Sequence, residues 1–220
     1  MTMLDFPGRV ACTVFTYGCN LRCPFCHNAS LVIDEAQLLD VDEVLAYIDK
    51  RKKILDGVCI TGGEPLLQRD IIDFMKKIKA LGLAIKLDTN GAFPDRLREV
   101  IELGLVDYIA MDIKNSKEKY AQTVGLREID MSPYEKSVEI IKNSGIEYEL
   151  RTTIVRELHT LEDIQKIGEW LHGAKRYFLQ SFVDSGNLIE GGFSAHDKTT
   201  LEAFRQAVLG HFSSVEIRGI

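Results

Sequence analysis

Three cysteines in one short stretch carry the strongest chemical signal in this chain: Cys19, Cys23 and Cys26, in the run Gly18-Cys19-Asn20-Leu21-Arg22-Cys23-Pro24-Phe25-Cys26. Their CxxxCxxC spacing brings three thiolates into a single loop. A cubane iron–sulfur cluster takes four ligands, so such a loop serves three irons and leaves the fourth open to a group that arrives as substrate. That is the pattern of a reaction centre rather than of a staple or a simple electron wire.

Three plainer readings compete with it. Structural zinc usually takes two separated ligand pairs. No second Cys or His pair follows here at a knuckle-like distance, and His27 is directly adjacent to Cys26, awkward for one tetrahedral ion. A disulfide framework serves small chains that cannot build a core, whereas this chain has 220 residues, 45% of them apolar. Chance clustering of buried cysteines fits poorly with thiols flanked by Gly, Asn and Pro. Cys12 and Cys59, by contrast, lie inside apolar, strand-like runs and read as small core residues.

Something must hold that loop in place. Short β-rich runs alternate with longer amphipathic ones along the chain. Strands are expected at Val10–Thr16, Val58–Thr61, Ala84–Asp88, Tyr108–Asp112, Glu147–Thr153 and Tyr177–Gln180, with a short last one at Val215–Ile217. Helices are expected near 40–52, 69–81, 94–103, 132–144, 160–172 and 196–210. Ser132-Pro133-Tyr134-Glu135 reads as an N-cap serine, a proline at the first helical position and a glutamate at the third. Thr160 with Asp163, and Asp40 with Glu43, look like similar caps. Gly82 and Gly145 stand where a left-handed stop residue follows a helix.

Strand–helix units with short connections imply a parallel sheet with right-handed crossovers, either open and doubly wound or curved into a barrel or partial barrel. The polar residues help to choose, because in barrels of βα units chemistry gathers at strand C-termini. The cysteine loop follows the first strand, Thr61-Gly62-Gly63-Glu64-Pro65 the second and Asp88-Thr89-Asn90-Gly91 the third. Met111-Asp112-Ile113-Lys114 ends the fourth, Arg151 and Thr153 sit late in the fifth, and Gln180-Ser181 ends the sixth. Every strand delivers polar residues to one rim. That favours a curved sheet around a central site over a flat sheet with a single crevice.

Bulk properties narrow the setting. The chain reads as one domain, residues 1–220, with residues 1–9 as an N-terminal arm. A formal net charge of −6 without a basic block argues against a nucleic-acid footprint. No uncharged apolar window of about eighteen residues occurs, so no membrane span is expected. Met1-Thr2-Met3-Leu4-Asp5-Phe6-Pro7-Gly8 lacks the basic and apolar regions of a signal peptide. The expected location is a reducing cytoplasm, where thiolates persist and bind metal.

The cysteine loop, with aromatic Phe25 before its last cysteine, and Gly62-Gly63-Glu64-Pro65 after the second strand together resemble the radical S-adenosylmethionine superfamily, over essentially the whole chain. The resemblance implies a partial (β/α)6 barrel of TIM type with a short extra C-terminal strand. It also implies a 4Fe–4S cluster on Cys19, Cys23 and Cys26, with S-adenosylmethionine chelating the open iron. One electron from the cluster would break the sulfonium S–C5′ bond and yield a 5′-deoxyadenosyl radical. No second cysteine cluster relays that electron, so an external donor such as flavodoxin or ferredoxin is expected.

Roles for single residues follow from the same likeness. Gly62 and Gly63 lack side chains and let backbone approach a ligand closely. Glu64, at the mouth, is a natural acceptor for the cofactor's ammonium, and Phe25 matches the residue whose backbone region meets adenine. Asp88, Thr89 and Asp112 match positions that hold a monovalent cation in pyruvate formate-lyase activators, as oxygen ligands suit a hard cation; the plainer reading is polar ends of buried strands. Lys114 reads either as a contact to the cofactor carboxylate or as a partner of Asp112, and Arg151 either as a cofactor-side base or as a structural ion pair. Thr153 and Gln180 complete the expected cofactor contacts. His27 reads as packing beneath the cysteine loop, and His159, His172, His196 and His211 as surface or packing residues.

Leu4-Asp5-Phe6-Pro7-Gly8-Arg9, Cys26-His27-Asn28, Leu87-Asp88-Thr89-Asn90-Gly91 and Met111-Asp112-Ile113-Lys114 resemble the glycyl-radical-enzyme activases, which oxidise a partner's glycine to a backbone radical. Asp5 matches an arm residue that contacts the partner's glycyl loop, its plainer reading being a turn residue. The wording is nearest to activators of anaerobic ribonucleoside-triphosphate reductase. Pyruvate formate-lyase activators share most of it but carry a proline, an aromatic and a histidine after the sixth strand, where this chain reads Leu179-Gln180-Ser181-Phe182. A radical enzyme acting on a small molecule, such as a deazapurine-forming synthase, and a plain electron carrier are the remaining alternatives.

Overall fold

The computed structural model describes residues 2–33 and 36–220. Seven strands, β1 Ala11–Thr16, β2 Gly57–Gly62, β3 Ala84–Thr89, β4 Tyr108–Asp112, β5 Glu147–Ile154, β6 Ala174–Ser181 and β7 Phe212–Arg218, form one sheet in sequence order. Every neighbouring pair is parallel, and β1 does not pair with β7. The sheet therefore curves without closing, as expected of a partial barrel.

Period-two alternation divides the two faces. Val58, Ile60, Ile85, Leu87, Ile109, Leu150 and Leu179 are fully buried toward the helical layer. That layer consists of α1 Ala29–Val32, α2 Val41–Arg51, α3 Ile71–Ala80, α4 Pro94–Glu102, α5 Tyr120–Thr123, α6 Ser132–Asn143, α7 Leu161–Trp170 and α8 Lys198–Val208. The alternate positions, including Cys59, Lys86, Asp88, Glu149 and Arg151, face the concave side. Near the strand N-termini that side is plugged by Phe6, Ala11 and Tyr108, the Phe6 and Tyr108 rings lying 6.1 Å apart. The arm also covers the free edge of β1: Thr2 and Ala11 exchange backbone hydrogen bonds of 2.7 and 2.9 Å.

Several elements differ from expectation. β7 is a full strand of seven residues rather than a short one, and β6 begins at Ala174. Charged residues such as Lys175, Arg176 and Glu216 obscured those strands in an apolar reading. The one-turn helices α1 and α5 are too short to show periodicity. Ser132 is the first helical residue rather than the cap: Asp130 takes its backbone N–H at 2.9 Å and its hydroxyl at 2.8 Å. At α7 the reciprocal capping box of Thr160 and Asp163 is present, and Asp40 caps α2 by accepting from Asp42 N. Gly82 and Gly145 adopt φ of 80° and 75° after their helices.

Among the described residues no helix is long and apolar enough to cross a membrane. The capping box gives a direct test: Thr160→Ala should cost about 1 kcal/mol. In a chain of this size that lowers the thermal midpoint by about 2–4 °C, measurable by circular dichroism.

Candidate active site

One cavity of about 240 Å³ collects the rim. Cys19, Cys23 and Cys26 from the loop after β1 line it, with Thr61, Gly62 and Gly63 from β2 and Asp88 and Thr89 from β3. Asp112 and Lys114 at the end of β4, Arg151 and Thr153 from β5, Gln180 from β6, and Phe25 complete the wall. A flat sheet could not bring six successive strand ends to one cavity.

The two glycines are required by the chain itself. Gly63 N donates to Thr16 O and Glu64 N to Gly18 O, both at 2.9 Å, stitching the β2 turn to the cysteine loop. A Cβ on Gly63 would lie 1.9 Å from the Gly18 carbonyl oxygen, and Gly62 holds φ of 115° with Thr16 N only 2.4 Å from where its Cβ would stand. Gly62 thus packs against the end of β1 and Gly63 against the start of the cysteine loop.

The floor is a buried network of charge. Arg151 lies between two carboxylates, its Nε donating to Asp112 Oδ1 at 2.5 Å and its Nη2 to Asp88 Oδ2 at 3.1 Å. Asp88 also pairs with Lys86, and Asp112 with Lys114 Nζ at 3.1 Å. One layer down, Glu149 accepts Tyr108 OH at 2.9 Å and both terminal nitrogens of Arg218 at 2.8 and 2.9 Å. Burial alone would push Asp112 up, but Arg151 and Lys114 outweigh it and hold the carboxyl far below its ordinary range. Burial opposes the charge on Lys114, and Asp112 more than restores it.

These pairings engage the residues expected of a cation site. The oxygens of Asp88 and Asp112 are taken by lysine and arginine side chains, and the hydroxyl of Thr89 points to Glu64 Oε1 at 2.8 Å. The positive charge between the aspartates is a guanidinium. Both readings of Lys114 and Arg151 meet in one arrangement, since each lines the cavity while paired.

Glu64 turns toward the end of β3. It is fully buried and absent from the cavity wall. Its carboxylate accepts from Leu66 N at 3.1 Å, Thr89 Oγ1 at 2.8 Å and Asn90 N at 2.6 Å. Burial raises its pKa to about 7 against the lowering effect of those donors. The side chain braces the end of β3 against the β2 turn.

Asp5 lies at a second cavity of about 260 Å³, where it shares the wall with Lys86, Glu149, Arg151, Gln180 and Arg218. Its Oδ2 accepts from Thr13 Oγ1 at 2.6 Å. This cavity lies between the arm beside β1 and the last strand, where the sheet fails to close. Cys59 is buried as expected, with its sulfur 3.8 Å from both Lys86 Nζ and Asp88 Oδ1. His27 supports the cysteine loop by meeting Val183 O at 2.5 Å and the Phe182 ring at 5.3 Å.

Two residues gained a role that the sequence had not suggested. Asn90 reaches the cysteine loop, its Nδ2 lying 2.9 Å from Asn20 Oδ1 and 3.8 Å from Cys19 Sγ. His159, buried, donates from Nε2 to Lys114 O at 2.8 Å and accepts Val155 N–H at Nδ1 at 3.0 Å, so it is held neutral and fixes the backbone beside Lys114. Burial pushes its pKa down. No periodicity or motif marks it.

The donor set fits a cluster better than a single ion. The cysteines are free thiols on one cavity, and among the described residues no three His, Cys, Asp or Glu converge on one metal position. Ligands of a cubane each take a different iron and need not converge. Burial pushes the Cys19 thiol up and that of Cys23 to about 12, with Lys114 opposing the rise at both. Iron would supply the charge that turns them into thiolates.

Comparison with known proteins agrees with this geometry. The Radical SAM superfamily matches residues 13–171, and the chain belongs to that superfamily. It is 34% identical over 186 residues to a candidate glycyl-radical enzyme activating enzyme of Methanocaldococcus jannaschii, covering 83% of this chain and 77% of the relative. It is 31% identical over 175 residues to the pyruvate formate-lyase-activating enzyme of Clostridium pasteurianum, covering 76% and 71%. The fold matches Streptococcus suis SuiB bound to S-adenosylmethionine with a TM-score of 0.74 at 14% identity, over 98% of this chain and 51% of that one. The chain thus spans about half of SuiB and most of its activating-enzyme relatives, and it is an enzyme of their kind.

Gly63→Ala should separate the cysteine loop from the β2 turn, costing about 1–3 kcal/mol and lowering the iron bound per chain on anaerobic reconstitution. Unchanged iron content and melting would count against the close approach. His159 has its folded pKa depressed, so its contribution is complete above its ordinary value of about 6.5 and is lost as pH falls through the folded value. Urea midpoints at about pH 7.5 and about pH 5.5 should differ less in His159→Asn than in the unsubstituted chain, with Asp163 and His196 as the charged neighbours common to both.

Proposed function

We propose that the chain activates a glycyl radical enzyme, and that its partner is anaerobic ribonucleoside-triphosphate reductase. The observation that carries this reading is the convergence of Cys19, Cys23 and Cys26 with five further strand ends on a single cavity, beside a second cavity bordered by Asp5. A 4Fe–4S cluster held by Cys19, Cys23 and Cys26 would supply one electron for the reductive cleavage of S-adenosylmethionine, the chemistry that would remove a hydrogen atom from the partner's glycine.

The residues hold and orient. Gly62 and Gly63 keep the wall beside the cysteine loop thin. Lys114 and Arg151 present cationic groups to the cofactor carboxylate, while Asp88 and Asp112 keep both charged and fixed. Phe25, Thr153 and Gln180 border the space for adenine and ribose. Asp5 faces the glycyl segment at the lateral opening. An external reductant such as flavodoxin or ferredoxin in the cytoplasm supplies the electron. Asp88, Thr89 and Asp112 carry the oxygens that a monovalent cation would take beside the cofactor.

Likeness to pyruvate formate-lyase-activating enzymes favours a second reading, with that lyase as partner. Leu179-Gln180-Ser181-Phe182 weighs against it, since Phe182 packs on His27 at the position where those activators carry their own pattern.

The test is anaerobic reconstitution, reduction and mixing with S-adenosylmethionine and each candidate partner in turn. A glycyl-radical doublet in electron paramagnetic resonance, matched by 5′-deoxyadenosine, is expected with the reductase. A doublet with the lyase alone would reassign the partner, and 5′-deoxyadenosine with no doublet would redirect the search to a small substrate. Asp5→Ala should lower the doublet by about tenfold, a loss of about 1.4 kcal/mol in transition-state stabilisation. Uncoupled cofactor cleavage should persist, and equal loss of both readouts would place Asp5 outside partner contact.

A further inference from the structure

We propose that Asn90 tunes the cluster through Cys19, and that Glu64 serves this role by holding Asn90. The inference rests on the cluster reading above and goes beyond it by assigning a residue that sets the reduction potential.

The orientation of the carboxamide follows from its partners. Asn90 Oδ1 accepts the Ala92 backbone N–H at 2.9 Å, which an amide nitrogen could not do. Its Nδ2 therefore faces the cysteine loop, giving one hydrogen to Asn20 Oδ1 at 2.9 Å and leaving the other toward Cys19 Sγ at 3.8 Å. Leu21 N donates to the same sulfur at 3.4 Å. Asn90 is buried, and its own backbone N–H is fixed by Glu64 Oε2 at 2.6 Å.

Two parts of the chain separated by 70 residues, Asn20 and Asn90, thus lock an N–H toward one cysteine sulfur. A cluster carries more negative charge when reduced. N–H groups directed at its sulfur ligands stabilise that state and raise the potential. In this role Asn90 acts through the cysteine sulfur it faces, so it is a positioning residue. Glu64 acts one step further away, through the Asn90 backbone.

The experiment is a redox titration of the anaerobically reconstituted chain, following the reduced-cluster signal by electron paramagnetic resonance, with iron content and apo-protein melting measured in parallel. Asn90→Ala should keep the iron content and shift the midpoint potential to a more negative value. Asn90→Asp, which replaces the donor with a carboxylate of similar shape, should shift it further. Asn20→Ala leaves the Asn90 amide in place but unlocked and should give a smaller shift of the same sign. It also decides the matter if the Asn90 variants lose the cluster.

A potential unchanged in Asn20→Ala and in whichever Asn90 variants hold the cluster, or a positive shift, overturns the proposal. Failure of the unsubstituted chain to show any cluster signal overturns the reading on which it rests. Neither result depends on which partner is activated.

Discussion

Arg151 is the interaction on which the site depends. A guanidinium buried inside a curved sheet is costly unless its charge is met, and here it is met by carboxylates from two neighbouring strands. The register that pairs Asp112 with Arg151, and the inward direction of Asp88 on β3, are what bring them together. Removing one partner from such a group costs about 3–5 kcal/mol, because the others remain buried without it. The network therefore acts as a register lock across β3, β4 and β5, and it also sets a polar floor under the space that the cysteines border. Phe178 continues it outward, since the Arg218 guanidinium stacks 3.4 Å above its ring while bonding Glu149.

The upper rim depends on a different constraint, the close approach of two backbones. Gly63 and Gly18 meet without side chains between them, which allows the β2 turn to hydrogen-bond the cysteine loop. Glu64 follows immediately and turns inward, so one short motif ties the cysteine loop to β2 and β2 to the end of β3. The loop holding the thiols is thereby tied to β2 and, through Glu64, to the end of β3. His27 and the backbone after β6 fix it from another side. Rigidity of this kind suits a site whose ligands must keep their separations while charge changes on what they hold.

Much of this was legible in the sequence, for a physical reason. Strand and helix periods are local, so the order of elements and the collection of polar residues at one rim could be read from Thr61, Asp88, Asp112, Arg151 and Gln180. The cysteine loop is local as well. What could not be read depends on direction and distance between remote parts. Glu64 stands beside the glycines in sequence, yet its side chain points to residues 25 and 26 positions away. Asp88 and Asp112 read as oxygen-bearing strand ends, and only the register shows that Arg151 lies between them. Asn90 was visible within Asp88-Thr89-Asn90-Gly91, but nothing local states that its amide crosses to Cys19. The last strand was under-read because its inward positions carry charge, and one of them, Arg218, belongs to the floor.

Leaving the sheet open has a consequence for what can reach the site. A closed barrel would admit substrate only along its axis, past the cysteine loop. Here the arm and β7 border a lateral cavity, and Lys86, Asp88, Arg151 and Gln180 belong to it or to both cavities. Its rim carries exposed apolar side chains, Leu4 and Val183, above a charged floor. Apolar contacts at an edge with hydrogen-bonding groups beneath suit an extended stretch of polypeptide better than a compact polar metabolite, which would gain little from such a rim. The same incompleteness that leaves β1 and β7 unpaired with each other therefore opens a lateral cavity beside the one at the strand ends.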